Sequence, residues 1–521
     1  MRGNMRDRNL FRNAVFALFI AGAAVVGAEA QTQKPVHAEV RDTSAKSAPA
    51  APPAAVPVTT PSADARKDYE MGMVQREDLL FTDTGLQFFR EAVKADPHFS
   101  LGHAALAYFT VDAVEEHHQE LLAKQTLSHA SPDEKLLIRW MLGTKNGELV
   151  PAVAALNDLL AKYPDDKRLG NLAAEWLCSN QEAWDRGESI LVNLLKKDPN
   201  YFPAVNNLAY CYALSGQASL APALMDQYVV ALPNQPNPED SYGEIERMLG
   251  NYPAALEHYS KALKIDATFT TSQLGIASTY ALMGDQERAR AEYLKSIPMA
   301  KERPTQMDYR ILWAMTYYRE NQLDQGRQEL TKIAADAHTA GFLLQEAEAH
   351  RDMALFNPDA QAALKDLEAA QVVLSEKLPM ARQDRETELA TILQTRAFVA
   401  ARAGMADAAQ KAFEQLGTFA KTSRSNLVQH SFHSANGAAL LAKGNFAESI
   451  AELQEDPRNP LSLELLADAQ NKAGQAAEAQ KTFETLAAIN DERVETAFAV
   501  PQARAALKRY QQSSAQGGGK D

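Results

Sequence analysis

Glycine recurs at positions 216, 250 and 284, at two successive intervals of 34 residues. Five positions after each glycine stands an alanine (Ala221, Ala255, Ala289), and seven before each stands a small residue (Ala209, Gly243, Ala277). Met225, Tyr259 and Tyr293 follow nine after it, and Pro199 and Pro233 keep the same interval. This period constrains the fold more than any other feature. A unit that short cannot bury its apolar face alone, so units must stack and share one continuous core with their neighbours. The 521 residues, which on length alone suggest about three or four ordinary domains, therefore count units of a single elongated body. An apolar fraction of 46% is ample for that core.

The residue types in each slot make physical sense as helix A, a short turn, then helix B. Small residues at 209, 243 and 277, with the alanines of helix B, allow the two helices to approach. The larger Tyr212, Met225, Tyr259 and Tyr293 fill the space against the next unit. Glycine at 216, 250 and 284 suits the left-handed conformation that closes a helix, and proline beyond helix B stops the next one cleanly. The sequence resembles the tetratricopeptide family here. The motif W-x2-L-G-x2-Y…A-x3-F…P reads as Val205, Leu208, Ala209, Tyr212, Ala221, Met225 and Pro233. The best units are 202–235, 236–269 and 270–303, with others near 66–99, 133–166, 168–201, 307–340, 390–423, 430–459 and 460–493. Asn321, Gly404, Gly444 and Gly474 take the turn slot downstream, and Gly147 takes it upstream. The resemblance implies an all-α, right-handed α-solenoid of about twelve helix pairs with a capping helix near 495–510. Boundaries within 100–132 and 341–389 are not fixed by the pattern, and 341–378 is a candidate hinge.

The flanks read differently. Arg2, Arg6, Arg8 and Arg12 precede an apolar run from Ala14 to Val26, and Ala28-Glu29-Ala30 follows. This is the secretory signal-peptide pattern over 1–30, with cleavage after Ala30. The run is shorter than the roughly 20 residues that span a bilayer, which leaves an N-terminal membrane anchor as the alternative. Residues 31–63 are rich in proline and alanine and read as a disordered linker, 64–510 as the repeat domain, and 511–521 as a disordered tail. The expected location is periplasmic or secreted. The net charge of −14 becomes about −16 after cleavage and argues against nucleic acid and against an anionic membrane surface.

No phosphate loop, H-E-x-x-H, C-x-x-C or G-x-S-x-G motif is present. Glu115, Glu116, His117, His118 and Glu120 read as a solvated helix face rather than a metal site, since adjacent histidines point about 100° apart on a helix. His430 and His433 have no acidic third ligand on their helix and read as structural or surface residues. No catalytic, cofactor-binding or metal residue is assigned. Cys178 and Cys211 are 33 apart, on A helices of adjacent units. With helix axes about 8–10 Å apart and a disulfide needing Cα atoms within roughly 7 Å, two buried free thiols are expected, a disulfide being the alternative.

In the family that the chain resembles, A helices line a concave groove that takes an extended peptide or a partner helix. Register carries its groove-facing slots onto Asn206, Tyr210, Glu244, Arg247, Ser278, Met315, Tyr318 and Arg319. The carboxylate clamp of chaperone-binding members is broken: Asn207 fits one slot, but Asn237 and Ser241 stand where cations are required. The expectation is an exported, non-enzymatic scaffold that binds a protein or peptide in this groove. The alternatives are an assembly factor of an envelope secretion or exopolysaccharide export machine and, from another class, a hydrolase or metal-dependent enzyme with an unrecognised site.

Overall fold

The computed structural model describes residues 54–77, 85–375 and 380–517, with side chains to residue 512. The signal sequence and most of the linker read from the sequence lie outside the described residues. All regular structure among these residues is helical. The helices pair along the chain as α1 Ala63–Glu77 with α2 Leu86–Ala95, α3 Ser100–Phe109 with α4 Ala113–Gln125, and α5 Pro132–Lys145 with α6 Leu149–Lys162. Next come α7 Lys167–Ser179 with α8 Trp184–Lys197, α9 Phe202–Ser215 with α10 Ala221–Ala231, and α11 Pro236–Met248 with α12 Tyr252–Ile265. Then follow α13 Thr270–Met283 with α14 Gln286–Met299, α15 Arg303–Arg319 with α16 Leu323–Ala340, and α17 Leu343–Leu355 with α18 Ala360–Ser375. The series ends with α19 Arg382–Arg402 and α20 Ala406–Ala420, α21 Asn426–Ala442 and α22 Phe446–Leu453, α23 Pro460–Lys472 and α24 Ala476–Ala487, and the unpaired α25 Val494–Gly517. These are twelve pairs and a cap, an α-solenoid. The cap runs past Tyr510 into the stretch that composition assigns to a tail.

The turn between A and B helices is built as its slot predicts. Gly216, Gly250 and Gly284 have φ of 84°, 81° and 87°. The amide after each donates back to a carbonyl five residues earlier, as in Asn251 N to Glu246 O at 2.8 Å, which closes the helix end. Asn321 holds the same conformation at φ 61°, and Glu182 does so at φ 55° where the sequence offers no glycine.

The small-residue slot works through side chains rather than backbones. A Cβ added at Gly243 would lie 2.9 Å from the ring of Tyr259, and one at Gly275 would overlap the same ring. Tyr259 of α12 therefore sits in a notch cut by α11 and α13, and it is fully buried.

The buried apolar clusters follow the chain. One joins α1–α7, others join α7–α9 and α9–α11, another joins α13 and α14 to α15, and the largest joins α15 through α25. No such cluster among the described residues joins α1–α12 to α15–α25. Residues 54–62, grouped by composition with the linker, run extended over the starts of α5 and α7. The Val56 amide donates to Asp166 Oδ2 at 2.9 Å, Thr59 N to Glu134 Oε1 at 2.6 Å, and Thr60 Oγ1 to Asp96 Oδ2 at 2.5 Å. Proline-rich chain has few amides to satisfy, and here those of Val56 and Thr59 find carboxylates.

The two cysteines correct the sequence expectation. Cys178 and Cys211 form a disulfide between α7 and α9 with Cα atoms 5.4 Å apart. The axis separation misleads because each Cα stands about 2.3 Å off its axis, on the facing side. Gly187 of α8 makes the room: a Cβ there would overlap the Cys178 sulfur.

Candidate functional site

The α-solenoid curls until its later helices meet its earlier ones, and the contacts between them are polar. Arg90 donates to Glu115 and also to Glu302, at 2.8 Å in each case. Lys145 holds Glu116 at 2.8 Å and Asp384 at 3.4 Å. Arg458 pairs with Glu182, and the Asn426 side chain donates to Gln181 O at 3.2 Å.

The concave face of α11, α13 and α15 is where the predicted groove residues gather, and it is occupied by the chain itself. The irregular segment Ile489–Arg493, between α24 and α25, lies across it. The Glu492 carboxylate pairs with Arg247 and accepts from Ser278 Oγ at 2.6 Å, and its main-chain carbonyl accepts from Arg319 at 3.1 Å. Two residues earlier, Asn490 donates to Arg247 O at 2.8 Å and accepts from the Tyr252 hydroxyl at 2.5 Å. Arg247 is 3% exposed. Its other partners are the Tyr259 hydroxyl at 3.2 Å and Glu244 at 3.4 Å, and Glu244 in turn accepts from Tyr210 at 2.7 Å.

Register thus brings five of the eight predicted residues, Tyr210, Glu244, Arg247, Ser278 and Arg319, into one hydrogen-bonded set around Glu492. Met315 lines the cavity left beside it, of about 90 Å³. Tyr318 does not face the groove: its ring stacks on Phe356 at 4.4 Å and packs against Gly326. Asn206 is buried at 1% exposure, a unit away from the segment. The sequence reading missed Asn490 and Glu492. The polar run Asn490-Asp491-Glu492-Arg493 directly before a helix was the available signal, but nothing local says what it faces.

A second cavity, of about 160 Å³, lies on the far side of the segment and is lined by α4, α17, α19 and α21, with Arg493 bordering both. Carboxylates predominate in each. Burial pushes Asp240 up to about 7 against the favourable hydrogen bond from Ser272, and it raises Glu244 as well. Burial likewise raises Glu116 to about 8, although Lys145 opposes it. Glu116 and Glu120 are consequently not the solvated face that the sequence suggests: they are 3% and 7% exposed. His430 and His433 of α21 each face a carboxylate, Asp456 in the connection after α22 at 3.8 Å and Glu452 of α22 at 2.7 Å. No group of three or more potential ligands among the described residues is placed to hold a metal ion. No helix among them is long and apolar enough to cross a membrane.

Helix pairs closed by a left-handed residue, with an alanine and a large residue in fixed slots and a concave face of A helices, define a helical-repeat solenoid. No protein-family model matches the chain. It is similar to the TPR repeat-containing protein YpiA of Bacillus subtilis (strain 168), 24% identical over 176 residues, which is 33% of this chain and 40% of that relative. Among solved structures it is similar to a tetratricopeptide repeat protein from Parabacteroides merdae, at 13% identity over 52% of this chain and 93% of that one, with a TM-score of 0.32. It is also similar to the APC/C hetero-tetramer Cut9–Hcn1, at 17% identity over 78% and 76%, with a TM-score of 0.37. Its period and turn slots are those of the tetratricopeptide repeats to which it is similar.

Proposed function

We propose that this protein is an exported, non-enzymatic scaffold that binds a partner protein or peptide on the concave face of α11, α13 and α15. The observation that carries the reading is the seating of Asn490–Glu492. An irregular strand of polypeptide is held there through both its main chain and one charged side chain, by residues from three successive A helices. A surface that holds one extended segment in this way has the donors needed to hold another. Export is supported by the N-terminal pattern and by the Cys178–Cys211 disulfide, which suits an oxidising compartment.

The test is affinity capture from a cell-envelope extract with the full chain as bait, followed by cross-linking to locate what is retained. A protein recovered in fixed proportion, with cross-links on α11–α15, is expected. Retention of nothing above an unrelated bait, or cross-links confined to the outer B helices, would reject the reading.

A further inference from the structure

The concave face is closed in this structure, and the way it is closed indicates how it opens. Within each half of the chain, neighbouring units share buried apolar clusters. Away from the apolar cluster that joins α13 and α14 to α15, the described contacts between the halves are polar: Arg90 with Glu302, Lys145 with Asp384, Arg458 with Glu182 and over the Trp184 ring, and Glu492 with Arg247 and Ser278. The segment Ile489–Arg493 belongs mechanically to the second half, since Val494, Ala497 and Val500 just after it are buried in the cluster of α15–α25. It need not peel away from its own helices to leave the groove. It departs with them, and with α15 and its Arg319, when the two halves swing apart about the α14–α15 junction, where the apolar cluster of α13–α15 stays packed.

Lifting the segment leaves Arg247 with only Tyr259 and Glu244 for company, and leaves the Ser278 hydroxyl with Tyr293. Of these only Glu244 is a carboxylate, and it stands at 3.4 Å, so a second, closer carboxylate is favoured beside this guanidinium. We propose that the superhelix opens along this polar seam, and that the exposed groove residues of α11 and α13, Arg247 and Ser278 among them, then take an extended acidic segment of a partner in place of Asn490–Glu492. Closure and partner binding are thereby mutually exclusive. This rests on the groove reading above and adds to it the chemistry of the partner and the contact that holds the site shut.

The experiment uses the full-length protein and a fluorescein-labelled synthetic peptide of residues 487–496 as a trans ligand, read by anisotropy. Arg458→Glu places two carboxylates against each other on the seam, away from the groove. In this variant the peptide is expected to bind about tenfold more tightly than to wild type, because apparent affinity scales with the open fraction. The radius of gyration in solution scattering should rise with it. A peptide carrying glutamine in place of Glu492 should bind neither form well.

If Arg458→Glu fails to fold by circular dichroism, Glu492→Gln in the full chain weakens the internal ligand instead, with the same expectation. Equal binding of the acidic and glutamine peptides would overturn the proposal, as would no saturable binding to either variant. So would concentration-dependent dimerisation of the open variant, which would make the occupant a second copy of this chain. A captured envelope protein indifferent to the peptide and to the seam variant would leave the scaffold reading standing and sink this one. Peptide binding without any captured protein would do the reverse.

Discussion

The Glu492 carboxylate accepts a hydrogen bond from Ser278 at 2.6 Å across a sequence separation of 214 residues. That contact joins the end of the last helix pair to the middle of the solenoid. Around it the register of the repeat and the curl of the superhelix agree on one small patch of surface.

Removing the partner of a buried charge is costlier than removing both. Glu492→Ala strands Arg247 and is expected to lower the first unfolding transition in urea by about 3 kcal/mol. Pairing it with Arg247→Met should recover most of that loss. If the double variant is no more stable than the single, the charge pair is not what closes the groove.

The notch for Tyr259 gives a packing test. Gly275→Ala puts a methyl group into the space of that ring and should cost about 1–3 kcal/mol. Tyr259→Leu empties the space, so the two changes together should cost less than their sum. Strict additivity in a double-mutant cycle would mean that ring and glycine are not in contact.

The disulfide predicts a loss on removal. Opening a loop of 33 residues by Cys178→Ser with Cys211→Ser should cost about 3–4 kcal/mol in the denaturant midpoint. Gly187→Ala should yield two free thiols on denaturation under non-reducing conditions, because the methyl group takes the position of the Cys178 sulfur. A fully oxidised Gly187→Ala protein would show that the helices have room to spare.

Asp240 sets a pH dependence whose direction is opposite to that of most carboxylates. Its folded value of about 7 is well above the unfolded one of about 3.9. Between those values the native state holds a proton that the unfolded chain has released, so this group's contribution falls as pH rises and levels off above about 7. Asp240→Asn should remove that slope, which is at most about 1.4 kcal/mol per pH unit. The stability of wild type minus variant, followed from pH 4 to 8, is expected to decline with rising pH. A flat difference would mean that the Asp240 carboxyl is ionised throughout.

Much of the local architecture was legible in the sequence, because a repeat fixes it locally. The slot of Gly250 predicts its left-handed turn, and even Asn321 was found by register alone. The same register put Arg247, Ser278 and Arg319 on one face. What faces them was not legible, since the position of Glu492 depends on small rotations accumulated over many units. Glu116 failed for the same reason: its burial comes from Lys145 and from Asp384 of a helix far along the chain. The disulfide was missed differently, by taking an axis distance for the distance between facing Cα atoms.

The disulfide and the Glu492 contact also differ in when they become available. Cys178 and Cys211 need only two neighbouring helix pairs, so the bond can close while much of the chain has yet to be made. Arg247 must wait for a residue 245 positions downstream. A growing chain therefore carries this part of its concave face uncovered while the 245 residues after Arg247 are made, and the face closes only when that distant segment arrives.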